Sequence, residues 1–280
     1  MQVAIEPMRA KDVPELSRLV EQAGWNQLPS DWLRLIELEP QGCFVARRQG
    51  EIAATLTTIC YGTELAWIGM MLVDPRFRRQ GIGRRLMEHA IATLRDRSIH
   101  TIQLDATPLG KLLYDRLGFR TEFAFHRWHR PANNVDSMVS LSAGSVVNVV
   151  SSNQLSDANL ALDRVTFGAD RAALLHRLAV DSKLINAHDS SFGMLRSGRI
   201  ADYLGPISST AQSAASVVKR LVESSERELF WDIPSQNTEA VYLATCFQFA
   251  PVRTLFRMTL GPSPNPHWAT LYALADPAVG

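Results

Sequence analysis

Hydrophobic and polar positions follow two different periods along the first 130 residues. Apolar residues recur every three or four positions in 12–23 and 82–94, which predicts two amphipathic helices. Runs rich in apolar and β-branched residues at 43–47, 52–61 and 65–73 predict strands. The same pattern gives further strands at 3–5, 101–104 and 119–128 and helices at 30–38 and 109–117. This alternation of strands and helices is typical of an α/β chain.

The second half of the chain repeats part of this pattern. Asp232 follows Asp105 by 127 positions, and Tyr242 follows Tyr114 by 128, each pair in the same strand–helix–strand context. These matches favour an internal duplication. Between the halves, residues 131–145 are small and polar, so they predict a linker. We therefore expect one domain at 1–130 and a second at 146–280.

Composition and charge narrow the function classes. The chain is 46% hydrophobic and 20% charged with a net charge of +1, which indicates a globular protein and gives no support for a nucleic-acid partner. It has neither a signal-peptide pattern at its first residues nor an apolar run long enough for a membrane span, so the expected compartment is the cytoplasm. The three cysteines lack metal-site spacing, and no metal is expected.

The segment 71–87 combines features of an anion-binding site. A strand ends at Asp74-Pro75, an arginine-rich loop holding Gly81 and Gly83 follows, and a helix begins. Glycines allow close approach of the main chain to a ligand, and the new helix presents unpaired N–H groups. Seven arginines stand against three acidic residues between positions 74 and 97. The sequence thus predicts a small polyanion here, such as the pyrophosphate of a nucleotide-bearing molecule.

Two common phosphate motifs fit this segment poorly. A P-loop requires a Gly-Lys-Ser/Thr ending, which is absent. A dinucleotide-binding fingerprint would use Asp105 as its ribose-binding acid. However, Leu86 stands at its third glycine position, and a seven-residue loop separates the strand from Gly81.

The segment Arg78-Arg79-Gln80-Gly81-Ile82-Gly83 resembles the acyl-CoA signature Arg/Gln-x-x-Gly-x-Gly/Ala of the GNAT family, the Gcn5-related N-acetyltransferases. Leu113-Tyr114, followed by Gly118-Phe119, resembles that family's second signature, and the resemblance covers about residues 3 to 130. The whole chain resembles a two-unit subgroup with an active GNAT unit and a degenerate one. The counterpart of the glycine loop, 207–214, has neither glycine nor arginine.

The resemblance implies an α/β (α+β) fold with two tandem GNAT-like units, each a mixed, largely antiparallel sheet with helices on both faces. It implies acetyl-CoA (coenzyme A) as cofactor, with no metal. The pantetheine arm would bind the main chain of one strand, and the pyrophosphate would bind the amides of the glycine loop. The residues so assigned are Met71, Leu72, Val73, Arg78, Arg79, Gln80, Gly81, Ile82, Gly83, Arg84 and Thr107, the last of which replaces a common Asn.

The resemblance also implies catalytic roles. Tyr114 stands where the family has the general acid that protonates the departing thiolate. Many members have a glutamate base on the strand before the glycine loop, but 67–73 holds no ionisable group. The base therefore stays open among Glu64, Asp105, His126 and His129.

The implied acceptor is the primary amine of a small molecule, attacking directly in a ternary complex. Candidate acceptor-binding residues are Trp25, Asn26, Gln27, Asp105, Asp170, Arg171 and Asp232, and the second unit is expected to help form the pocket. Two alternatives stay open: a CoA-binding sensor or regulatory protein without turnover, and an acyltransferase for longer acyl-CoA or hydroxyl acceptors. No membrane or nucleic-acid partner is expected, and the chain is expected to be a monomer or homodimer.

Overall fold

A computed structural model describes residues 3–132 and 147–280 of the chain. The predicted linker at 131–145 lies almost wholly outside the described residues. Contacts divide the chain into two compact units. Unit 1 holds residues 3–120, Met258–Ser263 and Pro277–Val279, and unit 2 holds the remaining described residues. A single cut of the chain therefore does not separate the units, because two short C-terminal segments belong to unit 1.

Unit 1 is built on a mixed sheet. Its strands are β1 (Ala4–Pro7), β2 (Cys43–Arg48), β3 (Glu51–Tyr61), β4 (Leu65–Val73) and β5 (Thr101–Ala106), and its helices are α1 (Val13–Gln22), α2 (Pro29–Leu38), α3 (Ile82–Asp96) and α4 (Pro108–Arg116). The strands lie in chain order, antiparallel except for the parallel pair β4–β5. Residues 258–260, the end of a later strand, follow β5 in the sheet.

The helices of unit 1 form where the hydrophobic period predicts them. The side chains of Leu16, Leu19 and Val20 are buried on one face of α1. In α3 the buried positions recur at the same helical spacing: Ile82, Leu86, Met87, Ala90 and Leu94. Each helix thus stabilises the unit by burying one apolar stripe while its other face stays in water.

Unit 2 repeats this plan. Its strands are β6 (Arg120–Arg130, in this unit from Thr121), β7 (Val149–Ser152), β8 (Ser182–Ala187), β9 (Phe192–Arg196), β10 (Asp202–Ser208), β11 (Leu229–Pro234), β12 (Ala250–Leu260, in this unit to Arg257) and β13 (Leu271–Ala273), and its helices are α5 (Asp157–Phe167), α6 (Ala172–Val180), α7 (Ala211–Val222) and α8 (Thr238–Cys246). The sheet order is β12-β6-β11-β10-β9-β8-β7, with β13 beside β10. Again one pair, β10–β11, is parallel.

Both halves of the chain have the same order of elements. The series strand, two helices, three strands, helix, strand, helix, strand runs from β1 to β6 and again from β7 to β12. This agreement supports the predicted duplication, and the predicted fold class is confirmed. The repeated halves and the contact units differ, because β6 closes the first repeat in sequence but packs in unit 2.

Candidate functional site

The parallel strands β4 and β5 diverge midway along their length. They pair only where Leu65–Trp67 lies beside Thr101–Gln103, although β4 continues to Val73 and β5 to Ala106. Beyond Trp67 the main-chain groups of β4 that face β5 have no strand partner among the described residues. A gap of this kind can accept an extended molecule that hydrogen-bonds along β4 in place of a strand.

A β-bulge marks the middle of this gap. Met70 has a φ of 50°, and the β3–β4 register shifts between Thr55 and Thr57. The Thr55 hydroxyl donates to the Met70 carbonyl at 2.7 Å, which fixes the bulge from the neighbouring strand. Bulges redirect main-chain groups locally, so amides next to Met70 can point into the gap.

The loop after β4 is tied down by a buried carboxylate. Asp74 accepts from the main-chain N–H of Arg76 at 2.9 Å and pairs with the guanidinium groups of Arg76 and Arg18 at 2.9 and 3.1 Å. The hydrogen bonds from Arg76 hold the pKa of Asp74 at about 2. Arg76 is thus a structural cation that positions the loop.

Replacing Asp74 by Asn should lower the free energy of unfolding by about 1–3 kcal/mol, because the loop loses its charge-assisted hydrogen bonds. The depressed pKa means that this stabilisation is present above a pH of about 4 and is lost as the pH falls through about 2. Thermal melts from pH 2 to 7 should therefore show the largest difference from the unchanged protein at neutral pH. As a control, Glu223→Gln breaks an exposed ion pair with Lys219. A difference that is independent of pH would contradict the role of Asp74.

The other polar side chains of the loop and of the first turn of α3 differ in their partners. Arg78 donates to the Val73 carbonyl at 3.1 Å, and Arg84 pairs with Glu88 at 2.7 Å on the solvent side of α3. Gln80 accepts a hydrogen bond from Arg48. Arg79 has a φ of 59° and makes no hydrogen bond or ion pair with the described residues. Its charge is thus available to an anion at the loop.

Two glycines shape the start of α3. Gly81 is the N-cap residue with a φ of 76°, a conformation that favours glycine, and a methyl group there would meet no atom within 4 Å. A methyl group on Gly83 would lie 2.9 Å from Met71 Cε and 3.3 Å from Val73 Cγ2. Gly83 thus lets the first turn of α3 approach the end of β4, with the unpaired amides of that turn beside the gap.

The neighbouring helix α4 carries a buried tyrosine. Tyr114 is 7% exposed, its ring lies 6.0 Å from that of Phe119, and its hydroxyl makes no hydrogen bond with the described residues. Burial raises the pKa of Tyr114 to about 12. Leu113 of the same helix approaches Gly83, since a methyl group on Gly83 would lie 3.9 Å from Leu113 Cδ2. The structure thus brings α4 against the glycine loop, and the phenol there has no hydrogen-bond partner in the described part of the chain.

Thr107 is the N-cap residue of α4. Its hydroxyl oxygen accepts from the Gly110 amide at 3.0 Å, so the side chain has a structural role at the helix start. Its hydroxyl hydrogen can still be donated to a ligand.

The four candidate bases are divided between the units. Glu64 is exposed in the turn before β4, and Asp105 is half-buried on β5, beyond the last residue that pairs with β4. The other two are in unit 2, where His126 Nδ1 lies 3.2 Å from Thr254 Oγ1 and His129 Nε2 lies 2.9 Å from a Glu228 oxygen. Position alone favours Asp105 among them, because it stands at the edge of the gap.

The acceptor candidates of unit 1 follow α1. Asn26 and Gln27 are buried and Trp25 is half-buried. The Trp25 amide donates to the Val20 carbonyl at 3.0 Å, which holds the turn against the helix. The structure thus places these side chains in the α1–α2 connection, as the sequence order requires.

The acceptor candidates of unit 2 already have protein partners. Asp232 forms a bidentate salt bridge with Arg127, with distances of 2.8 and 2.6 Å. Arg171 forms a bidentate salt bridge with Asp163, with distances of 2.8 and 2.9 Å. Asp170 is exposed and accepts from the main-chain N–H two residues on. Because Asp232 and Arg171 each form a salt bridge within unit 2, neither side chain carries an unpaired charge that a ligand would have to neutralise.

In unit 2 the chain itself fills the gap that unit 1 leaves. The strands β10 and β11 pair only as far as Leu204 and Trp231. Beyond that point β13 pairs with Ile207 and Ser208 of β10, and the amide of Leu274 donates to a β11 carbonyl, that of Asp232, at 3.0 Å. The protein's own strand therefore takes the hydrogen-bonding position beside β10.

The helix start in unit 2 is filled as well. At the N-terminus of α7, the Asp189 carboxylate accepts hydrogen bonds from the hydroxyls of Thr210 and Ser213. It also accepts one from the amide of Ser191, which precedes β9. Burial opposes its ionisation, but these hydrogen bonds lower the pKa of Asp189 overall. The sequence analysis missed Asp189. Its available signal was the run of serine and threonine at 208–210 and 213 without any cation, which suits an internal carboxylate.

Two negative findings concern the described parts of the chain. Residues 3–132 and 147–280 hold no group of His, Cys, Asp and Glu side chains arranged to bind a metal ion. Over the same residues, no helix combines the length and apolar character needed to cross a membrane.

Comparison with protein families gives two matches. Residues 39–121 and residues 160–273 each match a family model described as an acetyltransferase (GNAT) domain. The first match covers β3, β4, the glycine loop and α4. The second begins within α5 and ends at β13.

Individual relatives match nearly the whole chain. The uncharacterized N-acetyltransferase YitH of Bacillus subtilis is 27% identical over 98% of this chain and 97% of its own length. The holothin acyltransferase of a Pseudoalteromonas species is 25% identical over 91% and 87%. The crystal structure of a proposed acetyltransferase from Pyrococcus horikoshii superposes with a TM-score of 0.87 at 22% identity, over 99% of this chain and 96% of that one, which shows a common fold.

Proposed function

The chain belongs to the GNAT family and is an acyltransferase with two GNAT domains in tandem, and from this we propose that unit 1 transfers an acetyl group from acetyl-CoA to a primary amine of a small molecule. The observation that carries the proposal is the open gap between β4 and β5. It is bordered by the glycine loop and by α4 with Tyr114, whereas the corresponding gap in unit 2 is filled by the chain itself.

The residues around the gap suit the parts of acetyl-CoA. Main-chain groups of Met71 to Val73 that face the gap would bind the amide-bearing pantetheine arm as a strand does. The free amides at the start of α3 and the charge of Arg79 would bind the pyrophosphate. An amide beside the Met70 bulge would polarise the thioester carbonyl and stabilise its developing negative charge.

Tyr114 is the proposed proton donor to the leaving sulfur. Its phenol is protonated at neutral pH, as an ordinary tyrosine is, and burial raises its pKa further, to about 12. An ordinary thiol has a pKa near 8.5. Burial beside Tyr114 also raises the pKa of the CoA thiol, so the difference between the pKa of the phenol and that of the thiol becomes smaller. A hydrogen bond or proton from Tyr114 would then stabilise the leaving group without an added cation.

The acceptor nitrogen must lose a proton as it attacks. We propose Asp105 as the first candidate to test for this role, because it lies on β5 beside the gap and is half-buried. Glu64, His126 and His129 stay as alternatives. A shift in the pH dependence of kcat/KM in Asp105→Asn would identify the base, since that profile reports the ionisations of the free enzyme.

A single acyl-CoA should bind each chain. In unit 2, β13 pairs with β10 where unit 1 has its gap, and the Asp189 carboxylate lies on the hydroxyls at the N-terminus of α7. Isothermal titration of the whole chain with CoA should therefore give one equivalent. Gly83→Val, which places a side chain against Met71, should remove that equivalent. Two equivalents, or one that survives Gly83→Val, would contradict the assignment.

A thiol-release screen tests the function itself. The full chain is incubated with acetyl-CoA and a panel of amines, amino acids, polyamines and aminosugars, and products are identified by mass spectrometry. Similarity to a protein named holothin acyltransferase supports adding other acyl-CoA donors to the panel. Hydroxyl acceptors are added to test the alternative of transfer to oxygen. Release with an acetylated amine supports the proposal. Tight CoA binding without release from any pair would favour a sensor.

A further inference from the structure

One short segment of unit 1 comes from the far end of the chain. Pro277–Val279 packs against β3 and β4. The Trp67 indole N–H donates to the Pro277 carbonyl at 3.3 Å, and the Tyr61 hydroxyl donates to the Val279 carbonyl at 2.5 Å. Two aromatic side chains of neighbouring strands therefore hold the two ends of the segment.

The middle of the segment lies on Gly69. A methyl group on Gly69 would lie 2.2 Å from the carbonyl oxygen of Ala278 and 2.9 Å from its carbonyl carbon, far inside normal contact. Gly69 immediately precedes the bulge at Met70. The glycine thus allows a second main chain to cover β4 beside the proposed oxyanion-binding amides.

The residues of β4 before the bulge and those after it have different neighbours. Met71 and Val73, after the bulge, lie against Gly83 at the start of α3, where the proposed pyrophosphate site is. Gly69 and Trp67, before the bulge, lie against Pro277–Val279. If the acyl donor enters from the α3 side, the acceptor must reach the thioester carbonyl from the other side, where this segment lies.

A buried hydroxyl beside the segment lacks a partner. Thr57 lies directly across from Gly69 in the β3–β4 register, so both residues face the same side of the sheet. Its hydroxyl is buried and makes no hydrogen bond with the described residues. Burying a hydroxyl group without giving it a hydrogen bond costs free energy. The hydrogen bonds of Trp67 and Tyr61 therefore hold the two ends of the segment, and the Thr57 hydroxyl adds none.

We propose that Pro277–Val279 is the acceptor-side wall of the acyl-transfer centre, and that Gly69 sets its distance from β4. The wall keeps bulk water from the thioester and limits which acceptors reach it. This inference rests on the proposed function of unit 1. It adds a specificity-determining segment that lies some 160 residues after the first GNAT match ends.

The test measures what the wall would exclude. Without an amine, water can attack the thioester carbonyl: its oxygen bonds to the carbon, the C–S bond breaks, and acetate and CoA thiol leave. Gly69→Ala displaces the segment, and we expect acetyl-CoA hydrolysis to rise at least fivefold. Tyr61→Phe only releases one end, and a two- to fivefold rise is expected. CoA affinity by calorimetry should change less than twofold in both variants, because neither residue lies in the glycine loop.

A matched control removes a similar bond elsewhere. Tyr272→Phe in unit 2 deletes the hydrogen bond of Tyr272 to Glu239 and should leave hydrolysis unchanged. Unchanged hydrolysis in both folded variants, or an equal rise in the control, would overturn the wall. Gly69→Ala could fail to fold, and Tyr61→Phe then decides. If the unchanged protein does not bind acetyl-CoA at all, the proposed function fails and the wall with it; binding with no effect of either variant refutes the wall alone.

Discussion

Gly81→Val should weaken CoA binding about ten- to a hundredfold. Gly81 has a φ of 76°, where a β-branched residue is strained by about 1–3 kcal/mol. Because Gly81 begins a helix at the surface, the free loop can relax to another conformation, and binding must then restore the strained one. Each 1.4 kcal/mol so spent is a factor of ten in affinity. Isothermal titration with CoA measures the change directly.

Gly62→Val is the matched control. Gly62 has a φ of 64° in the β3–β4 turn, and a side chain there also meets no atom within 4 Å. Both variants place a β-branched residue at a positive φ, but Gly62 lies at the opposite end of β4 from the glycine loop. We expect Gly62→Val to lower the melting temperature while leaving CoA affinity within twofold. Equal affinity losses in both variants would show that general destabilisation, not the loop, is responsible.

Tyr114→Phe should lower kcat about a hundred- to ten-thousandfold, the usual contribution of a positioned general acid. CoA affinity should stay within threefold and the melting temperature nearly unchanged, because the lost hydroxyl has no hydrogen-bond partner among the described residues. Since the pKa of Tyr114 is about 12, its ionisation should not reduce the rate of the unchanged enzyme below about pH 10. Rates of thiol release against pH, for both proteins, provide the measurement.

The second half of the chain supplies the control for this variant. Tyr242 stands 128 positions after Tyr114, on the corresponding helix α8, but its side chain is 62% exposed. Tyr242→Phe should leave both turnover and CoA affinity unchanged. Turnover in Tyr114→Phe that matches Tyr242→Phe would remove the acid role and would favour a merely structural tyrosine.

The sequence predicted the local structure around the candidate site well, because local chemistry determines it. The glycine loop and the α3 helix follow from Gly81, Gly83 and an apolar period of 3.6. The strand before them follows from its apolar run. The fold class and the repeat follow from the order of such elements, and the structure has both.

Long-range contacts could not be predicted in this way. Nothing near Gly69 in the sequence indicates that Ala278 would cover it, since the two residues are more than 200 positions apart. Likewise, Asp232 and Arg171 look like free charges until their partners Arg127 and Asp163 are placed beside them. The division of contacts that puts β6 in unit 2 is also a tertiary result, because strand patterns do not specify which sheet a strand joins.

The strand β13 has a consequence for how the two units respond to their surroundings. Unit 2 completes its sheet with its own residues at Ile207 and Ser208, so its stability is a fixed property of the chain. Unit 1 leaves the corresponding edge of β4 without a strand, and if acyl-CoA binds there as proposed, binding adds to the free energy of unfolding in proportion to the logarithm of the ligand concentration. The cellular supply of acyl donor would then set the lifetime of one half of the protein but not of the other. On the proposed function, one chain would then combine a half whose stability depends on the acyl-donor concentration with a half whose stability does not.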